Sequence, residues 1–71
     1  MNDERFRFVT EQNGHEFVSR VRLSEAEARD FLTVDTLLHR AAGWWVTERP
    51  ELVVARRGEV VRLVSVRRIA G

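Results

Sequence analysis

From Arg5 to Phe8 guanidinium and ring alternate (Arg5, Phe6, Arg7, Phe8), so an extended chain sets both phenylalanines on one side and both arginines on the other. The alternation predicts a half-buried strand over Arg5 to Thr10. Asn13-Gly14 comes next, a dipeptide that accepts positive φ at both positions and closes tight hairpins, so Glu16 to Leu23 is expected to return antiparallel. On that return Phe17, Ser19, Val21 and Leu23 share one side and Glu16, Val18, Arg20 and Arg22 the other. The predicted hairpin has an aromatic side and an arginine side.

The period then changes. Ser24-Glu25-Ala26-Glu27 has the spacing of a capping box, in which the serine hydroxyl and the glutamate carboxylate each satisfy one otherwise unpaired backbone N–H. A helix is expected to run from here to about Ala42, because Gly43 offers a left-handed exit and Arg40 falls in the last turn, where a cation is favourable. Residues about 100° apart gather Ala28, Phe31, Val34, Leu37, Leu38, Ala41 and Ala42 into an apolar stripe, with Arg29, Thr33, Thr36 and Arg40 opposite. The stripe is wider than one sheet contact needs, and Leu37 at its edge is available to a second body.

Beyond Gly43 strand character returns in Trp44 to Thr47 and in Leu52 to Ala55, separated by a turn through Glu48 to Glu51. A second turn, Arg56-Arg57-Gly58-Glu59, leads into Val60 to Ile69, the longest strand candidate. In this strand neither alternate set is purely polar: Val60, Arg62, Val64, Val66 and Arg68 oppose Val61, Leu63, Ser65, Arg67 and Ile69. A strand apolar on both sides belongs inside a sheet.

The order strand, strand, helix, strand, strand, strand predicts an α+β domain spanning 1–71: a mainly antiparallel five-stranded sheet with one helix packed on one face. The helix is expected to cover Phe6, Phe8, Phe17 and Val21 together with parts of the later strands. The other face, with Val18, Val53 or Val54 and half of the last strand set among arginines, is then left semi-apolar and in want of a partner. Pairing about a two-fold axis would supply that cover, so a homodimer is expected.

Bulk composition narrows the class. The chain has 71 residues, 44% hydrophobic and 32% charged, which describes one small soluble domain with a single core. Without cysteine there are no disulfides, and with only His15 and His39 the usual ligands of a zinc cage are missing, so neither metal nor cofactor is expected. The longest apolar runs, such as Leu52 to Ala55, fall far short of the roughly 20 residues of a membrane span. The first residues, Met1 to Arg5, are acidic and lack the apolar stretch of a signal peptide, which reads as an intracellular, cytoplasmic protein.

All 12 basic residues are arginine. Residues 1–35 carry five Arg against eight Asp and Glu, a net of −3, while residues 36–71 carry seven against three, a net of +4. Guanidinium is weakly hydrated, always charged and able to fork onto anions or stack on rings, which suits it to interfaces. A GC-rich genome that writes arginine in place of lysine is the plainer source of the bias.

Candidate chemistry is sparse. Asp35 and His39 lie i, i+4 on the helix, where a carboxylate can orient an imidazole, but Ser19 and Ser65 are strand residues without the setting of a nucleophile, so the pair reads as structural and no enzyme is expected. Trp44 and Trp45 point to opposite sides of a strand, one toward the core and one outward; spacing leaves open which. Arg5, Arg7, Arg20 and Arg22 could join Arg62 and Arg68 as a basic, nucleic-acid-binding sheet face if the first and last strands are neighbours. The reading favoured is a small non-enzymatic binding or adaptor protein, homodimeric and engaging a protein partner, with Leu37, Trp45, Arg62, Val64 and Val66 as interface candidates. A nucleic-acid-binding regulator using the arginine face is the alternative.

Overall fold

Asn13 and Gly14 both take positive φ, 53° and 79°, and close the first hairpin with Gln12 opposite His15. The fold that this turn begins is known from a computed structural model, which describes residues 5–69. Met1 to Glu4, read above as an acidic start, and Ala70 and Gly71 lie outside the described residues. Strands β1 (Phe6–Gln12) and β2 (His15–Val18) form the hairpin, α1 (Glu25–Ala41) follows, and β3 (Trp45–Arg49), β4 (Leu52–Arg57) and β5 (Val60–Arg68) complete the chain. All pairings are antiparallel and the sheet order is β2-β1-β5-β4-β3, the expected α+β architecture. The strand that is apolar on both sides, β5, is the central one.

The two edges, β2 and β3, flank α1 in sequence, so the helix must carry the chain across the sheet. Seventeen helical residues rise roughly 26 Å, enough to cross four strand spacings of about 4.8 Å obliquely. The helix starts as its sequence dictates. The Ser24 hydroxyl accepts from the Glu27 N–H at 3.2 Å, and the Glu27 carboxylate accepts from the Ser24 N–H at 2.9 Å. It also ends so: Gly43 at φ 86° donates to the Arg40 carbonyl at 3.1 Å and Trp44 to the His39 carbonyl at 3.0 Å, the paired bonds of a Schellman exit.

That exit decides the tryptophans. In a Schellman motif the residue two past the cap packs on the third residue from the helix end, and here the Trp44 ring meets His39 edge-on at 5.2 Å. Trp44 therefore turns inward under the helix, and Trp45 stands 83% exposed on the other side.

Helix and sheet meet through small side chains. Ala28 of α1 and Val53, Ala55 and Val64 of β4 and β5 are buried, and Phe8 stacks on Phe31 at 4.2 Å between ring centres. The helix lies over β3, β4, β5 and β1 and does not reach β2. Phe17, expected under the helix, is consequently exposed.

The return strand stops at Val18, five residues before the expected end. The Ser19 N–H donates to the Phe8 carbonyl at 3.0 Å while its hydroxyl accepts from the Phe8 N–H at 3.2 Å. One residue thus terminates the ladder on both sides of Phe8. Continued register would set Val21 against Phe6, but Phe6 instead exchanges backbone bonds with Leu23 at 2.9 and 2.7 Å. Two extra residues loop out as a bulge. Val21, also expected in the core, is therefore exposed.

The helix is turned as well. Ala28, Thr36 and His39 are its buried residues, and Val34, Leu37 and Leu38 of the expected core stripe are exposed. Compared with the apolar stripe of the sequence, the face toward the sheet is displaced by roughly a third of a turn. The buried cluster formed by His39 and Arg62 accounts for that rotation.

Candidate functional site

Strand parity divides the sheet residues. Phe6, Phe8, Thr10 and Gln12 of β1 point toward the helix, and the register carries the same side through Arg62, Val64, Val66 and Arg68 of β5 and Val53 and Ala55 of β4. The opposite side holds Val9, Val18, Leu52, Val54, Val61 and Leu63, with Trp45 at one corner beside Arg56, its partner in register. The helix does not lie on this side, although Val9 on it keeps only 3% of its surface and the Arg7 Nε is buried without a hydrogen-bond partner. Its apolar middle is dotted by Arg7, Arg67, Arg49, Arg56, Glu11 and Glu16, of which Arg67 and Glu16 form an exposed ion pair at 3.4 Å. The arrangement resembles a protein-binding patch: an apolar centre, a single large aromatic and a rim of guanidiniums.

The candidate anchors separate accordingly. Leu37 and Trp45 are exposed, whereas Val64 retains 1% of its surface and Val66 and Arg62 face the helix. These three cannot meet a partner at the uncovered face, because register assigns them to the other side. The sequence reading does not name Leu52, Val61 and Leu63 as anchors; the pairing of β5 with β1 and of β4 with β5 sets the parity that brings them to this face.

The nucleic-acid candidates divide in the same way. The first and last strands are neighbours, as that reading required, but of its six arginines only Arg7 lies on the uncovered face within a strand. Arg62 and Arg68 face the helix side, Arg68 lying 5.7 Å over the Phe6 ring. Arg20 and Arg22 belong to the bulged segment after β2, and Arg5 precedes β1. The residue that joins Arg7 is Arg67, directly opposite it.

Asp35 and His39 are brought together and extended into a cluster beneath the helix. His39 Nε2 lies 3.0 Å from an Arg62 terminal nitrogen. A guanidinium offers no acceptor, so Nε2 must accept and the imidazole proton resides on Nδ1. Nδ1–H donates to the Asp35 carbonyl at 2.9 Å, which leaves the Asp35 carboxylate oxygen, 3.2 Å away, buried without a hydrogen bond. Arg62 also donates through Nε to Gln12 at 2.9 Å and lies 4.6 Å over the Trp44 ring. Burial raises the Asp35 pKa, opposed by the neighbouring His39 ring and the Arg62 guanidinium. The His39 ring and the Arg62 guanidinium are both engaged within the cluster, and their contacts fasten the C-terminal half of α1 to β1 and β5.

A cleft of about 580 Å³ opens at the other end of the helix, floored by Phe6, Ala28, Leu32 and Val66 with Arg68 and Glu51 at its rim. Among the described residues no three His, Asp or Glu gather as a metal ion would require, and no helix is long and apolar enough to cross a membrane. Comparison with protein-family models, with curated proteins and with solved structures finds no match.

Proposed function

We propose that this chain is a small, non-enzymatic interaction domain of the cytoplasm, a self-associating adaptor that binds a partner protein through the uncovered face of its sheet. The observation that carries this reading is Trp45, 83% exposed at the corner of an apolar field formed by Leu52, Val54, Val61 and Leu63. Exposed tryptophan is rare because burial of so large a ring is strongly favourable, and at interfaces it is a frequent anchor. The non-enzymatic part is supported by His39, whose two ring nitrogens are already engaged by Arg62 and by the Asp35 carbonyl.

The test is affinity capture with the intact protein and two variants. A partner retained by the wild type and lost with both Trp45→Ser and Leu63→Glu, each shown folded by circular dichroism, is the expected result. Retention by both variants removes the uncovered face from the proposal. A nucleic-acid strand is the second reading, favoured by the pairing of Trp45 with Arg56 and of Arg7 with Arg67 on that face. Binding to single-stranded or duplex DNA at low salt that falls steeply as salt rises would favour it over a protein partner.

A further inference from the structure

On α1 polarity and burial run in reverse order. Phe31, Val34, Leu37, Leu38 and Ala41 recur at spacings of three and four, which places them on one continuous stripe. Val34, Leu37 and Leu38 keep 53%, 59% and 64% of their surface, whereas Thr36 and His39 are buried against the sheet. Phe31 at the start of the stripe stacks on Phe8 of β1, but no strand contact covers Val34, Leu37, Leu38 and Ala41, which stay exposed among the described residues. Apolar positions in a three-and-four alternation form the seam by which two helices pack.

Charge selects the occupant. The first half of α1 carries Glu25, Glu27 and Asp30, with Arg29 held by Glu25 at 2.8 Å, and the last turn carries Arg40. An antiparallel second copy brings Asp30 alongside Arg40 of its mate and opposes the two helix dipoles, while a parallel copy sets Asp30 against Asp30. The surface is thus self-complementary in one orientation only.

We infer that α1 is the self-association surface of this protein: two copies pack their helices back to back and antiparallel, about a two-fold axis between Val34 and Leu37. The inference rests on the homodimer part of the reading above and assigns it a surface different from the sheet. The seam from Asp30 to Ala41 is roughly 16 Å long. Such a contact is smaller than the standard interface of about 800 Å² per partner, so association in the micromolar range is expected. Both uncovered sheet faces then point away from the dimer at opposite ends, and the assembly presents Trp45 twice.

Sedimentation equilibrium of the full chain over a concentration series decides the matter. The wild type is expected to reach dimer mass, and Leu37→Glu and Leu38→Glu each to raise the dissociation constant about tenfold or more without loss of helix signal. Trp45→Ser is expected to leave the mass unchanged. Asp30→Arg and Arg40→Asp should each weaken the dimer, and the double reversal should restore it; Arg40 also pairs with Glu48 at 3.2 Å, so the melting temperature of each variant is recorded alongside. A dimer that survives Leu37→Glu but dissociates with Trp45→Ser and Leu63→Glu overturns the inference and keeps the homodimer. A wild type that stays monomeric overturns both and leaves partner capture through Trp45 standing. A double reversal weaker than either single change overturns the antiparallel arrangement.

Discussion

Thr36 and Leu37, neighbours on α1, are buried in the inverse order of their polarity: 2% of Thr36 is exposed against 59% of Leu37. The Thr36 hydroxyl is buried without a hydrogen-bond partner. Replacing it by a methyl of the same shape removes a desolvated polar group and leaves helix propensity almost unchanged, since both residues are β-branched. Thr36→Val is expected to stabilise the fold by about 1 kcal/mol, read as a higher urea midpoint at constant slope. If Thr36 faced water, as its place opposite the apolar stripe implied, the midpoint would not move.

Local signals were legible in the sequence and long-range compensation was not. Ser24, Glu27, Gly43 and Asn13-Gly14 act through their own backbone neighbours, and each performs the task its spacing announced. The apolar side of β1 followed from alternation in the same way, but which half of β5 faces the helix did not, since Val64 and Val66, expected as interface anchors, lie on the helix side. The rotation of α1 did not, because it depends on Arg62. A guanidinium that faces the helix from the central strand requires polar company, and the register places Gln12 opposite it and His39 above it. Satisfying that partly buried cation goes with His39, and with it Thr36, turned inward and Val34 and Leu38 outward. The bulge after β2 escaped for a related reason: a single serine that bonds both backbone groups of Phe8 interrupts a ladder whose alternation runs on to Leu23.

Asp35 makes stability depend on pH in an unusual direction. Its pKa is raised by burial, against the opposing influence of the His39 ring and the Arg62 guanidinium. An acid with a higher pKa in the folded chain holds its proton there after the unfolded chain has lost it, so its contribution is most favourable below the ordinary aspartate value and declines as pH rises from that value through the raised one. Asp35→Asn, which cannot ionise, should flatten the stability profile across that window. Urea melts of both proteins at closely spaced pH values provide the check, and parallel profiles would contradict the assignment.

The helix cap gives the opposite slope. Hydrogen bonds from the Ser24 backbone and then its side chain lower the Glu27 pKa, so the stabilisation by Glu27 is present above the ordinary glutamate value and is lost as pH falls through the lowered one. Ser24→Ala removes the hydroxyl acceptor for the Glu27 N–H and is expected to cost about 1 kcal/mol. Glu27→Gln keeps an acceptor for the Ser24 N–H but abolishes the acid-side loss. An unchanged melting temperature in Ser24→Ala would show that the helix does not start at this serine.

Arg62 links the helix to the sheet through His39, Gln12 and Trp44. Arg62→Met has a comparable stem but offers no donor to the His39 ring or to Gln12, and it forfeits the cation over Trp44. Leaving those acceptors unpaired beneath the helix is expected to cost about 2 kcal/mol. The variant should also change the near-ultraviolet dichroism of Trp44 while that of the solvent-facing Trp45 stays the same. Loss of the Arg62 charge removes one of the influences that hold the Asp35 pKa down, so the decline in stability with rising pH should extend to higher pH than in the wild type. Combining Arg62→Met with Thr36→Val tests the cause of the rotation. If Arg62 is what turns the helix, its removal frees α1 to roll its leucines toward the sheet, and the gain from Thr36→Val shrinks in the double variant, a coupling that additive effects would rule out.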